Sequence, residues 1–334
     1  MTSIASESPS VRNLSRTKLY IRKVLDNLVW IILVVSLIVF SITIDGYLST
    51  RNFINIIYHS VFIGILAIAE TYCVIGGQLD LSIESTTAFS ALLAAWLMGA
   101  SRFTSGMHLN PLYTILIVMA FGCLIGFINS RLVVKLKIEA FLVTLAMYIT
   151  IRGLALWLTG GKGVSQLPDT FRLLDTIKIS TIPLMVFILL LFYGFFQFLL
   201  TNTQFGRHLF VVGGNKDAAY KHGIKVDSVL TRLFILSGAI AAFTGLLMAA
   251  RADGATAGAA TWFLFDVLAA IVIGGVSLRG GVGSLVGVLA GVLLLSSIRS
   301  ALNIVAISPF ISDVVRGLLV LFAIILDSVK RMIR

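Results

Sequence analysis

The chain has 334 residues, of which 58% are hydrophobic and only 12% charged, where soluble domains carry roughly 25% charged residues. A water-soluble fold of this length has no means of hiding so much apolar surface, and the composition also excludes disordered, collagen-like and disulfide-rich secreted chains. The net charge of +11 suits membrane loops on the cytoplasmic side, which collect Lys and Arg, and no nucleic-acid partner is expected.

Residues 1–27 read as a polar, basic cytoplasmic tail carrying Arg12, Arg16, Lys18, Arg22 and Lys23. The apolar run at 28–44 lacks a small-residue cleavage site and reads as an uncleaved first helix,. Further apolar runs follow at about 54–76, 81–100, 112–130, 139–158, 182–200, 230–250, 263–278, 282–298 and 312–328. The expected fold is therefore all-α, a polytopic transmembrane helical bundle of about 10 spans over 28–328,. Two pairs of runs are divided by Gly-rich breaks and not by true loops, so the range is 8–10.

With the N-terminus inside, 17 of the 26 Lys and Arg fall on inside segments: the tail, 131–138, 201–232, 279–281 and 329–334. That split predicts N-in and C-in, with 329–334 as a cytoplasmic tail,. The longest inside segment is 201–229, and the outside loops at 101–111 and 159–181 are short.

Chemistry-bearing constellations are few. Cys73 and Cys123 sit inside apolar runs, and His59, His108, His208 and His222 show no metal-ligand spacing,. There is no P-loop and no nucleophile–base pair,. The expectation is a chain with no catalytic residues, metal or cofactor of its own, which is not an enzyme.

Residues 74–77 read VIGG, as do 272–275, each at the inner end of a span running outside to inside. A weak parallel internal repeat and coincidence are both open readings. Glycine pairs such as Gly76-Gly77 and Gly274-Gly275 free backbone groups from the helical ladder, and in lipid those groups need protein partners or a wet cavity,. Past the first break come Asp80, Ser82 and Glu84. Asp80 reads either as a group lining a pathway or as the cap of the next helix. Asp266, inside an apolar run, reads either as a pathway acid or as a buried acid satisfied by a helix terminus. Gly287 and Gly291 form a GxxxG face for close packing, within the chain or between subunits,.

GGQLDLSIES at 76–85 resembles the GGxDLSxGS signature of the sugar-type, binding-protein-dependent permeases of ABC importers, the ribose permease group. FDVLAAIVIGGVSLRGGVGS at 265–284 is similar to the later family pattern, through Asp266, Ala269, Ala270, Val272 to Gly275, Ser277, Leu278, Gly280, Gly281, Gly283 and Ser284. The inside segment TQFGRHLFVVGGNKDAAYKHGIKV resembles the family's cytoplasmic loop, and LNIVAISPFISDVVRGLLVLFAIILD its last turn and span. The likeness runs from about residue 50 to 328. The chain departs from it at Glu84, where the family carries Gly, at Glu70 within a span, and at Glu139-Ala140 in place of a Pro.

The resemblance implies a permease subunit moving a monosaccharide or similar small polyhydroxylated solute by alternating access in a bacterial inner membrane. It implies that ATP and Mg sit on partner ATPase subunits, that a periplasmic or extracellular solute-binding protein delivers the solute, and that a second permease subunit, identical or not, completes the path. It makes 201–229 the coupling loop, with Gly206, Arg207, Gly213, Gly214, Asn215, Asp217, Ala218, Ala219 and Gly223 facing the ATPase. Gly76, Gly77, Asp80, Ser82, Glu84, Asp266, Gly274 and Gly275 become the candidate pathway. An ion-gradient-driven secondary transporter is the alternative, because Glu70, Asp80, Glu84 and Asp266 are acids able to carry protons,.

Overall fold

The computed structural model describes residues 27–99 and 106–333. The basic tail, Arg102 and Arg334, which enter the charge count, lie outside the described residues.

The described residues form thirteen helices: Leu28–Thr43 (α1), Thr50–Ile75 (α2), Ile83–Met98 (α3), Pro111–Val134 (α4), Ala140–Thr159 (α5), Asp169–Thr176 (α6), Leu184–Asn202 (α7), Gln204–Gly214 (α8), Lys216–Lys221 (α9), Val226–Ala252 (α10), Phe263–Ile273 (α11), Leu285–Ile304 (α12) and Pro309–Ile333 (α13). Two minimal antiparallel pairs complete them. Val164–Ser165 (β1) pairs with Gly254–Ala255 (β4), and Lys178–Ile179 (β2) with Ile182–Pro183 (β3). Six helices, α2, α4, α5, α7, α10 and α12, are long and apolar enough to cross a membrane, while α1, α3 and α11 are apolar but shorter.

Each expected apolar run coincides with a helix, but the boundaries move for local reasons. Helix α2 starts at Thr50, where the Ser49 hydroxyl accepts the Asn52 N–H at 3.2 Å. The run at 263–278 is helical only to Ile273, because the Gly pair stops it. The stretch 159–181, expected as a short outside loop, is not plain loop: it holds α6, anchored by the buried Phe171, and both short strand pairs begin in it. The segment 201–229, expected as an inside loop, is also not a loop, since α8 and α9 fill most of it.

Depth in the bundle follows sequence. In α2 and α10, 67% and 72% of the most apolar window is buried, against 22% in α5, so α2 and α10 form the centre and α5 turns Leu, Ile and Trp side chains outward. Helix α3 is short and rich in Ser and Thr, and nearly all of it is buried between α4, α5 and α10. Its Thr87 hydroxyl donates to the Ala241 carbonyl of α10 at 3.1 Å, which is how a hydroxyl is satisfied inside a bundle.

Close helix approach rests on glycine. Gly122 and Gly126 of α4 lie against Gly238 and Phe234 of α10, where a Cβ at Gly126 would stand 2.1 Å from the Phe234 carbonyl oxygen. The Gly287 and Gly291 face of α12 packs within the chain, on the Gly274 and Ala270 carbonyls of α11. The choice left open for that face thus falls to packing inside one subunit. The Gly122-x3-Gly126 spacing was equally readable in the sequence as a packing face.

Candidate functional site

The two VIGG segments end their helices in the same way. After α2, Gly77 donates to the Val74 carbonyl at 3.0 Å and Gln78 to Cys73 at 2.9 Å. After α11, Gly275 donates to Val272 at 3.0 Å and Val276 to Ile271 at 3.0 Å. Both are Schellman closures, which need a left-handed residue at the second glycine. Gly77 and Gly275 have φ of +70° and +91°. Helix α2 and helix α11 are therefore stopped by one backbone device, used twice.

The ends meet at a glycine junction. Gly281 N–H donates to the Ile75 carbonyl at 2.8 Å. A Cβ at Gly280 would lie 2.6 Å from the Gly213 oxygen and 3.0 Å from the Gly77 Cα. Three backbones, from the end of α2, the end of α8 and the segment after α11, touch with no side chain between them.

Beneath the first break lies a buried polar cluster. Asp80, 1% exposed, accepts the Ser82 N–H at 3.1 Å and the Ser82 hydroxyl at 2.5 Å on one oxygen, and the Ser237 hydroxyl of α10 at 2.7 Å on the other. Asn129 of α4 donates to the Ser82 hydroxyl at 3.0 Å, and Asp80 N–H donates to Glu70 Oε1 of α2 at 3.4 Å. Among the described residues, Glu70 Oε2 and Asn129 Oδ1 have no hydrogen-bond partner. Asp80 does not cap α3. It lies two residues before the N-cap position, Ser82, and ties α10 to the break.

Glu84, in the first turn of α3, turns away from this cluster toward the start of α11. Its Oε2 accepts the Leu264 N–H of α11 at 3.0 Å, and its Oε1 accepts the Tyr148 hydroxyl of α5 at 3.4 Å. Arg152 in turn donates to the Tyr148 oxygen at 2.9 Å. Glu84 thus supplies a carboxylate to the N-terminus of α11, where free N–H groups and the helix dipole favour an anion. Trp262, just ahead of that helix, is held at φ 75°.

Asp266 lies farther along α11, with Arg316 Nε at 3.6 Å and Arg299 at 3.9 Å. It stands in the first turn of α11, but its carboxylate is met by these two ion pairs and accepts no helix-end N–H among the described residues. The eight candidate pathway residues therefore fall in four places: Gly76, Gly77, Asp80 and Ser82 at the first break; Gly274 and Gly275 at the second; Glu84 on α3 against the start of α11; and Asp266 on α11 itself.

In the 201–229 segment, Asn215 both ends α8 and caps α9, accepting the Ala218 N–H at 2.8 Å. Gly223 and Ile224 donate to the Tyr220 and Ala219 carbonyls, closing α9 as the Asp217-Ala218-Ala219-x3-Gly223 spacing predicts,. Lys216, Asp217, Tyr220 and Lys221 are exposed, as are Arg207, Gly214, Asn215 and Gly223. Ala219 is not. It is fully buried against its own chain, so it offers no face to a partner, and Gly206 likewise packs inward, against the Leu200 carbonyl.

A cleft of about 770 Å³ runs from α9 to the first break, bounded by Lys216, Tyr220, Asp227, Lys137, Glu139 and Gly77. Tyr220 donates to Asp227 across its mouth at 2.5 Å, and that bond holds the phenol above its usual pKa. The sequence pointed to Asp80 and Glu84 but not to Ser237, Tyr148 or Leu264. Those partners are single polar or backbone groups far away in the chain, and no local spacing marks them.

Residues 52–324 match the family described as branched-chain amino acid transport system, permease component. The chain is 32% identical over 300 residues to a ribose import permease protein of Bacillus subtilis, covering 89% of this chain and 91% of that one. It is 30% identical over 307 residues to an L-arabinose ABC transporter permease protein of Azospirillum brasilense, covering 90% and 87%. It is 31% identical over 317 residues to a galactose/methyl galactoside import permease protein of Escherichia coli, covering 90% and 94%. No solved structure matches the chain.

Proposed function

The chain belongs to this family of transport-system permease components, and from that premise we propose that it is the membrane subunit of an ABC importer for a monosaccharide or similar small polyhydroxylated solute. The family description names amino acids, whereas the three relatives above are named for sugars. The pairwise likenesses carry more weight, because each spans about the whole of both chains.

The observation that carries the mechanism is the junction of Ile75, Gly213 and Gly281. Helix α8 runs through Asn215 into α9 with no intervening loop. A push on α9 by an ATPase reaches Gly213, and Gly213 bears directly on the end of α2 and on the segment after α11. Both breaks shift together, which is what alternating access requires of a pathway built around broken helices. The chain does no chemistry. ATP and Mg belong to two ATPase subunits inside, a solute-binding protein delivers from outside, and a second permease subunit completes the path.

The matched closures after α2 and α11 support a parallel repeat. Ten helices, α1 to α5, α7 and α10 to α13, serve as the spans, with both termini in the cytoplasm of a bacterial inner membrane. The 201–229 segment is the coupling element, and 1–27 and 329–334 are cytoplasmic tails. A reporter active only outside is silent when fused after Asn215 and active after Thr170; the reverse overturns the orientation.

The importer itself is tested by reconstituting the complex in proteoliposomes and following radiolabelled D-ribose, L-arabinose and D-galactose. Uptake of at least one sugar depends on ATP and survives an uncoupler. Uptake that needs the proton gradient and ignores ATP overturns the reading and leaves the secondary transporter.

A further inference from the structure

Helices α11, α12 and α13 enclose, together with Ile63 of α2, a cavity of about 380 Å³. That volume falls in the ~300–1,000 Å³ range of small-molecule sites. Asp266 lies about two turns before Gly274 along α11, so the cavity is apart from the glycine junction and from the cleft beside α9. We propose that it is a station for a neutral polyhydroxylated solute within the membrane, read by Ser296, Arg299 and Asn303 on α12 and by Asp266 on α11. This rests on the importer reading above and goes beyond it by naming where the solute is held.

Positions 296, 299 and 303 are spaced to share one face of α12, and all three line the cavity. Ser296 is 3% exposed, and its hydroxyl has no hydrogen-bond partner among the described residues. A buried hydroxyl left unpaired is a standing cost that a ligand hydroxyl would remove. Arg299 makes no hydrogen bond among the described residues either. Its one contact with an acid is the ion pair to Asp266 at 3.9 Å, beyond hydrogen-bonding reach,. Its forked donors are therefore unspent at the cavity wall.

The charge balance selects the ligand class. The wall carries two guanidiniums, Arg299 and Arg316, and two carboxylates, Asp266 and Asp313, the last within 3.0 Å of Arg316. An anion attracted to either Arg would meet a carboxylate beside it, and a cation would meet the Arg. A hydroxyl both donates and accepts, so adjacent hydroxyls can insert between a guanidinium and an acid that already stand too far apart to bond. Trp262 adds an apolar ring surface to the lining, suited to the C–H side of a sugar.

The test uses the whole reconstituted importer and the three sugars named above, with Ser296→Ala, Arg299→Gln, Asn303→Ala and the cavity-filling Ser296→Phe. Expected is an uptake loss of about tenfold for the first two, the scale of one lost hydrogen bond, and a larger one for Ser296→Phe. Asn303→Ala changes the ranking of the three sugars. ATP hydrolysis stimulated by the loaded binding protein stays within about twofold of the parent, and the apparent melting temperature of Ser296→Ala is unchanged. Three results overturn the proposal: uptake unaffected in all four variants, uptake falling together with ATP hydrolysis, or uptake falling together with melting temperature. Each of the last two reduces the charged group to a brace between α11 and α13. A parent importer that takes up none of the three sugars overturns both this proposal and the sugar reading, whereas parent uptake with unaffected variants removes the cavity alone.

Discussion

Gly213 stands so close to Ile75 that a Cβ at position 213 would lie 1.7 Å from the Ile75 carbonyl oxygen. The same oxygen accepts the Gly281 N–H at 2.8 Å. One carbonyl at the end of α2 therefore holds both the end of α8 and the segment following α11. Side chains in a packed interior can change rotamer to absorb a displacement, but backbone against backbone cannot. A movement that enters at α9 has no soft element to dissipate in before it reaches both helix breaks.

Gly213→Ala is the direct probe of that contact. The new methyl cannot be accommodated by rotation, because its neighbours are main-chain atoms, and overpacking of this kind costs ~1–3 kcal/mol or more. The expected result is a lower apparent melting temperature, with ATP hydrolysis and uptake uncoupled in whatever protein survives. Gly214→Ala is the control, since a Cβ there meets nothing within 4 Å; it should behave like the parent. Equal behaviour of the two variants in a thermal-shift assay removes the junction from the mechanism.

Helix α9 gives a second contrast, between its inward and outward residues. Ala219 is buried in its own chain while Tyr220 is 51% exposed and Lys221 is exposed. Ala219→Trp should therefore destabilise the isolated permease, with no ATPase present. Lys221→Glu leaves folding within ~0.5 kcal/mol of the parent and weakens retention of the ATPase on purification. Retention unchanged by Lys221→Glu and by Tyr220→Ala would show that α9 does not face the ATPase.

The legible parts of this protein are those written in consecutive residues. Ten apolar runs gave ten helices, and the Gly pairs at 76–77 and 274–275 gave their stops, because span length and helix closure are local properties. The Asp217-Ala218-Ala219-x3-Gly223 spacing likewise contained its own helix end. The inward orientation of Ala219 was hidden, since a six-residue helix has too little sequence to reveal which face is covered. The partners of Asp80 and Glu84 were hidden for a different reason. Ser237 and Leu264 are 157 and 180 positions away, and only tertiary packing brings a lone hydroxyl or a main-chain N–H to a carboxylate.

Asp80 makes a graded prediction. It accepts from three donors, two on Ser82 and one on Ser237. Asp80→Ala strands them in a dry interior, at ~1–3 kcal/mol per unsatisfied group, and should be poorly folded. Asp80→Asn keeps one oxygen, and a serine hydroxyl can rotate to accept from the new amide, so its loss is smaller. Ser237→Ala removes a single bond, worth ~1 kcal/mol. The expected order of apparent melting temperature is parent, Ser237→Ala, Asp80→Asn, Asp80→Ala. Asp80→Ala melting with the parent would mean the cluster does not hold α10 to the break.

Glu84 separates the structural argument from the family likeness most sharply. The likeness places Gly at this position and leads to the outcome that Glu84→Gly keeps transport. The structure leads to the opposite. Glu84 carries the carboxylate that meets the Leu264 N–H at 3.0 Å, at the start of a helix that begins from a left-handed Trp262. Glycine leaves that N–H, on a residue 7% exposed, without an acceptor, and the loss of a helix cap costs ~0.5–2 kcal/mol. It also releases the Tyr148 hydroxyl, and with it the side-chain bond that ties α5 to α3. Glu84→Gln retains an oxygen for Leu264 and gives up only the charge, so it should fall between the parent and Glu84→Gly in both melting temperature and uptake. Glu84→Asp keeps the charge but shortens the reach by one methylene. If the carboxylate serves as a cap, Gln is the milder substitution; if it serves as a charge in the pathway, Asp is. Uptake by the two variants, normalised to the amount of folded importer, decides between these roles, and parent-like uptake by Glu84→Gly dismisses both.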